Sequence, residues 1–169
     1  MTLNLITRKL HRWGAIWFSV PILIVIGSGI LLQIKKQIDW IQPPTQLGSK
    51  PNQTPGQTWS EILTISREIP EADVDGWEDI KRIYAEPGKG VFKVLCRNQW
   101  EIQIDVQTGK VLSSTRRRSD LIESLHDGSF FSQFVKMGVF LPSGIVLFIL
   151  WLTGLWLWFL PRRNRKKKK

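Results

Sequence analysis

The chain has 169 residues and a formal net charge of +10, with one cysteine, Cys96, and only two histidines. A single cysteine excludes an intramolecular disulfide, and two long apolar runs exclude an ordinary soluble domain. All 14 acids lie between Lys35 and Gln133, so the two ends supply the whole positive excess; a chain-wide basic surface for nucleic acid is excluded.

Residues 1–12 carry Arg8, Lys9 and Arg12 and no acid. The stretch 13–34 that follows is uncharged, and at about 1.5 Å per helical residue its length reaches about 33 Å, enough for a hydrocarbon core of about 30 Å. The apolar run is too long for the core of a cleaved signal peptide, and Gln33-Ile34-Lys35-Lys36 follows instead of a small-residue cleavage site. It is read as an uncleaved signal anchor, with Trp13 at one interface.

Residues 35–57 hold Pro43, Pro44, Pro51 and Pro55 with Gly48 and Gly56, a composition that predicts an extended, solvated linker. Trp40 is assigned to the headgroup level. Thr58-Trp59-Ser60-Glu61 predicts a capped helix start, with Trp59, Ile62, Leu63 and Ser66 on one face and Pro70 past the end. Strands are predicted at 79–86 and 91–97 around the turn Pro87-Gly88-Lys89-Gly90, then at 100–106 and 110–114. In the third, Trp100, Ile102, Ile104 and Val106 face one way and Glu101, Gln103 and Asp105 the other. One helix on an antiparallel sheet is the α+β domain that 58–115 suggests, with Cys96 as a buried strand residue. The carboxylates at Asp73, Asp75, Glu78 and Asp79 are read as a solvated turn.

Residues 116–135 form a connector: Arg116-Arg117-Arg118, a short amphipathic helix with Leu121, Ile122 and Leu125 inward, and Phe130, Phe131 and Phe134 approaching the interface. A second span is read at 136–160, with Pro142 a place for a kink and Trp158 at an interface. The tail 161–169 carries seven basic residues and no acid. Basic flanks stay cytoplasmic, so both termini are placed there and the middle of the chain is placed across the bilayer. The tail also suits anionic headgroups.

Three segments resemble the PepSY-associated transmembrane family in its short two-span form. They are Arg8-Lys9-Leu10-His11-Arg12-Trp13-Gly14 leading to Gly27-Ser28-Gly29; Trp100 to Leu112, similar to the closing hairpin of a PepSY domain; and Leu125-His126-Asp127-Gly128 before a span with Thr153-Gly154-Leu155-Trp156. The resemblance implies an extracytoplasmic module that binds or restrains protein partners, peptidases among them, in a bacterial plasma membrane or thylakoid. Larger relatives with more spans are associated with iron uptake and reduction, and some bind haem through histidines.

His11 and His126 are the only haem-ligand candidates, and the topology puts them at opposite ends of the bilayer, about 30 Å apart. They cannot share an iron within one chain, whereas a homodimer could pair each with its mate around a b-type haem. The plainer alternative makes His11 an interfacial residue and His126-Asp127 a helix cap. No Cys-x-x-Cys-His, His-Glu-x-x-His, Gly-x-Ser-x-Gly, phosphate loop or dinucleotide fingerprint occurs, and no catalytic residue is assigned. The expectation is a non-enzymatic binding or regulatory module, the alternative a haem-binding electron-transfer component or an accessory subunit of an iron or siderophore reductase system.

Overall fold

A computed structural model describes residues 3–166. The chain divides into two compact units, one of residues 1–32 and 122–169 and one of residues 33–121.

The first unit is helical. Helix α1 (Leu3–Trp17) is followed after one residue by α2 (Ser19–Gln33). The expected single span at 13–34 is therefore broken at Phe18. The two helices together are long and apolar enough to cross a membrane, but they bend by 67°. Pro21 is the physical cause: it has no amide hydrogen for the Trp17 carbonyl, and its ring crowds the turn before it. The Ser19 hydroxyl turns back to the Ile16 carbonyl at 2.9 Å, which stabilises the break.

Later in the chain a long helix runs from Gln133 to Phe159 and is apolar enough to cross a membrane by itself. It is built from a short α5 (Gln133–Val135), a wide π turn over Lys136–Phe140, and α6 (Leu141–Lys166). Just before Pro142 the helix opens into the π turn, with the Leu141 amide donating to Lys136 O. Helix α1 packs on α6 at Gly14, where an added Cβ would meet Leu150 and Val146 at 3.6 and 3.8 Å. Residues 167–169 of the basic tail lie outside the described residues.

The second unit is a four-stranded antiparallel meander in the order β1-β2-β3-β4, with β1 (Ile80–Glu86), β2 (Val91–Cys96), β3 (Trp100–Asp105) and β4 (Val111–Arg116). The turn between β1 and β2 is the Pro87–Gly90 one expected, with Gly90 in the left-handed region. Helix α3 (Trp59–Arg67) starts on the expected capping box: Thr58 Oγ1 accepts from the Glu61 amide, and Glu61 accepts from the Thr58 amide. Its Ile62 and Ser66 are buried, and Ile62 joins Phe92, Val94, Ile102, Ile104 and Val106 in the core, with Leu63 and Ile65 packed alongside. Trp59, assigned to the same face, is 62% exposed at the first position of the helix.

The segment 41–51 departs most from expectation. It is extended but not solvated: Ile41, Pro43 and Gly48 are buried. It crosses the sheet face opposite α3 as a strap. The Gln46 amide donates to Gln103 Oε1 at 2.7 Å, Gln103 Nε2 donates to the Pro44 carbonyl at 3.0 Å, and the Ser49 amide donates to Asp105 Oδ2 at 2.5 Å. Gly48 lies so near the β1–β2 turn that an added Cβ would meet the Gly90 carbonyl oxygen head-on. Gln103 and Asp105 are buried beneath it, and so is Glu101 beside them, which accepts from Arg117 at 2.9 Å and Gln103 at 2.8 Å.

Helix α4 (Ser119–Asp127) is longer than expected. Ile122 is buried, and Leu121 and Leu125 are partly so. Asp120, near its start, gathers Lys81, Arg82 and Arg117 at 2.7, 3.1 and 3.2 Å.

Candidate functional site

In α2, Val25, Ser28 and Gly29 recur at the three-to-four-residue spacing that places side chains on one face. Ser28 is buried, and its hydroxyl donates to the Ile24 carbonyl at 2.5 Å. His126, in the last turn of α4, lies against this face. Its Nδ1 is 3.0 Å from the Val25 carbonyl oxygen and 3.1 Å from Ser28 Oγ. A carbonyl only accepts, and the Ser28 proton is already committed to its own helix. Nδ1 is therefore the donor toward the Val25 carbonyl, which leaves Nε2 turned away from this contact. Gly29 makes the approach possible, since a Cβ there would already be 3.3 Å from the imidazole.

The next three residues fix the loop after α4. The Asp127 carboxylate binds the Lys136 ammonium and accepts from the Ser129 amide at 2.9 Å. Burial alone would raise its pKa, yet Lys136 and Ser129 bring it down to about 2. Gly128 has φ +79°, and an added Cβ would sit 2.5 Å from the ring of Phe140. The π turn presents both groups: Lys136 opens it toward Asp127, and Phe140 closes it over Gly128. Phe140 is buried and tilted against Phe131 at 6.0 Å.

These residues enclose a cleft of about 700 Å³. His126, Asp127 and Lys136 form its polar end, and Val25, Met137, Ile145 and Phe148 line an apolar body. Its size falls within the range of about 300–1,000 Å³ found for small-molecule sites. The shape suits an amphiphile with one polar end. An imidazole oriented through Nδ1–H to a backbone carbonyl is also how proteins present Nε2 to a metal.

His11 is held in a parallel way elsewhere in the same unit. Its Nδ1 is 3.2 Å from Thr153 Oγ1, whose hydroxyl donates to the Leu150 carbonyl. The two histidines are thus anchored on different helix pairs, and among the described residues no group of three or more His, Cys, Asp or Glu side chains is placed to hold a metal. The reading of His126-Asp127 as a cap for the second long helix is corrected, because Ser132 caps α5 by accepting from the Val135 amide. Of the three tryptophans assigned as anchors, Trp13 and Trp158 are 56% exposed. Trp40 is 63% exposed in the second unit, with the Arg118 guanidinium stacked 4.5 Å above its ring. Sequence reasoning missed Ser28, Lys136 and Phe140. The face shared by Val25, Ser28 and Gly29 was the one local signal for the first of them.

A family model described as "PepSY-associated TM region" matches residues 8–169. No curated protein and no solved structure matches the chain.

Proposed function

We propose a function from one premise: the chain belongs to the family described as PepSY-associated TM region. The reading is a membrane-anchored, non-enzymatic binding module with two spans, the bent pair α1–α2 and the helix Gln133–Phe159. Both termini are cytoplasmic, and the sheet domain works outside as a PepSY-like module toward a protein partner. The observation that carries the membrane part is the apolar surface of the helical unit. Only 11% of the most apolar stretch of Gln133–Phe159 is buried, and Leu23, Phe148 and Trp151 are 59–71% exposed. A soluble core helix would bury that surface, because leaving it in water is unfavourable in proportion to its area. The basic ends and the charge-balanced middle support the stated orientation.

A cysteine at Thr108, at the exposed β3–β4 turn, tests the topology. Membrane-impermeant maleimide should label it in intact cells, whereas a cysteine at Asn164 should label only after lysis. Labelling of the second before lysis, or of neither, would sink the two-span arrangement.

A second reading is favoured by one observation, the oriented imidazole of His126 beside an apolar cleft. These residues suit a haem edge: His126 would hold its iron through Nε2, together with the His126 of a second copy. When bound, haem would supply one-electron chemistry. The chain's own residues would orient the imidazole through Val25 and Ser28 and exclude water with Phe140 and Phe148. The absorption spectrum of protein purified in mild detergent from haem-replete cells decides between the readings. A stoichiometric Soret band lost in His126→Ala establishes the second. A colourless, folded, monodisperse protein supports the first.

A further inference from the structure

The cleft beside His126 has a direction. Its polar end sits at the start of the long helix, where the π turn presents Lys136. Its apolar body reaches Phe148, about 18 Å farther along the helix at about 1.5 Å per residue. Ile145 and Phe148 are 54% and 60% exposed, so the body opens sideways, onto the surface that the two-span reading gives to lipid. Gly144 keeps it wide: it lines the cleft, and an added Cβ there would meet nothing within 4 Å. A π turn is itself uncommon and occurs mostly at functional sites.

The polar end carries no net charge, because the Asp127 carboxylate binds the Lys136 ammonium. An anionic head would be opposed by that carboxylate and a cationic head by that ammonium, so charge complementarity selects a neutral one. An independent observation comes from the imidazole. Nδ1 and Cε1 of His126 lie against Val25, Ser28 and Gly29 of α2. Nε2 is on the opposite edge of the ring, and no hydrogen bond among the described residues uses it. A ring nitrogen so placed meets an oxygen: it accepts from a hydroxyl or, when protonated, donates to a carbonyl. Phe140, which closes over Gly128 two residues from the imidazole, gives the same cleft a flat apolar wall. Such a wall suits a planar ring.

We infer that this cleft binds a lipid-soluble quinone or its quinol, with one ring oxygen on His126 Nε2, the ring against Phe140, and the tail running past Gly144 toward Phe148. The occupant combines what the cleft asks for: a neutral planar head, oxygens at its edge, and an apolar tail that enters from the bilayer. A diacylglycerol is also neutral but has no ring to lie on Phe140. The inference rests on the two-span reading, because the body must open onto lipid. It also needs Nε2 unoccupied, so it and haem on His126 exclude each other.

The test uses the full chain in phosphatidylcholine nanodiscs, titrated with decylubiquinone while tryptophan fluorescence is followed. Trp151, its ring 6.2 Å from that of Phe148, is the reporter nearest the body of the cleft. Saturable quenching is expected, with His126→Ala and Gly144→Leu each weakening binding at least about tenfold. Gly154→Leu makes the same change at a glycine outside the cleft, where an added Cβ also meets nothing within 4 Å, and should leave binding unchanged. Quenching that rises without saturating, or binding indifferent to either His126→Ala or Gly144→Leu, overturns the proposal. Displacement of the quinone by an equal amount of dioleoylglycerol also overturns it and assigns the cleft to neutral lipids at large. A Soret band lost in His126→Ala overturns it in favour of haem. The maleimide labelling decides the topology by itself, so failure of the quinone site and failure of the two-span reading are told apart.

Discussion

Replacing Asp105 with asparagine should release the strap. The carboxylate is 2% exposed and accepts four hydrogen bonds: the Ser49 amide at 2.5 Å and hydroxyl at 3.1 Å, and the Gln107 and Thr108 amides at 2.8 and 2.9 Å. Asparagine keeps the shape. Its oxygen can still serve the two turn amides, but its NH₂ then faces the Ser49 N–H, donor against donor. One charge-assisted bond is lost, at about 1.5–3 kcal/mol, and a buried donor is left unsatisfied, at about 1–3 kcal/mol. The total is about 2.5–6 kcal/mol. For a domain of 60–100 residues each kcal/mol shifts Tm by about 4–8 °C, so the sheet unit should melt at least about 10 °C lower. Hydrogen exchange gives the local readout, because the Gly48 amide donates to the Lys89 carbonyl at 2.8 Å and should lose protection with the strap. A strap as protected as in the wild type, or a Tm change under about 4 °C, would refute the reasoning.

The same residue sets an acid limit. Burial alone would raise its pKa, but the amides of Thr108, Ser49 and Gln107 and the Ser49 hydroxyl hold it far below the ordinary carboxylate range. In the unfolded chain it titrates near about 3.9. The folded value is the depressed one, so its contribution is fully present above about pH 4 and is lost as pH falls through the folded value. Wild-type stability should therefore drop below about pH 4, and Asp105→Asn should flatten that part of the curve.

Three further outcomes are expected. Arg117→Met leaves Glu101, fully buried and 2.9 Å from the lost guanidinium, without its charge partner; urea unfolding should show a loss of about 3–5 kcal/mol, largely recovered in Glu101→Leu/Arg117→Met, and a neutral single mutant would contradict the pairing. Gly128→Ala puts a side chain at φ +79° against Phe140, so the helical unit should lose at least about 1–2 kcal/mol, and an alanine variant as stable as wild type would mean that the loop is not so constrained. Burial, with Asp79 nearby, pushes the Cys96 thiol up to about 11; iodoacetamide at pH 8 should modify it only after denaturation, and rapid labelling of folded protein would place it at the surface.

Local patterns were legible wherever the residues that interact are near in sequence. The Thr58–Glu61 capping box, the Pro87–Gly90 turn and the alternation through Trp100 to Val106 each predicted an element to within one or two residues of its observed bounds. The break at Phe18 was also local, since Pro21 was visible, but an uncharged run longer than a bilayer is thick masked it. The His126 site was half legible. Leu125-His126-Asp127-Gly128 stood out, yet the groups that orient the imidazole lie about a hundred residues earlier, and the π turn that brings Lys136 and Phe140 to it has no sequence period of its own.

The strap was illegible for a different reason, and it bears on how so small a domain stands without a disulfide. A sheet with one helix buries one face. The other would stay wet, and its alternate residues would be polar, as Glu101, Gln103 and Asp105 are. Polar residues on a strand therefore suggest solvent unless something supplies their hydrogen bonds. Here the main chain of 44–49 supplies those of Gln103 and Asp105, through the Pro44 carbonyl and the Gln46 and Ser49 amides, while Arg117 and Gln103 supply those of Glu101. Proline and glycine both suit this role. Pro44 leaves its carbonyl to a side chain, and Gly48 lets the backbone lie against the β1–β2 turn. A composition that ordinarily denotes a free linker is equally the composition of a segment laid flat on a sheet. The two are told apart by whether the facing strand carries side chains that can hold it, and β3 carries two, Gln103 and Asp105.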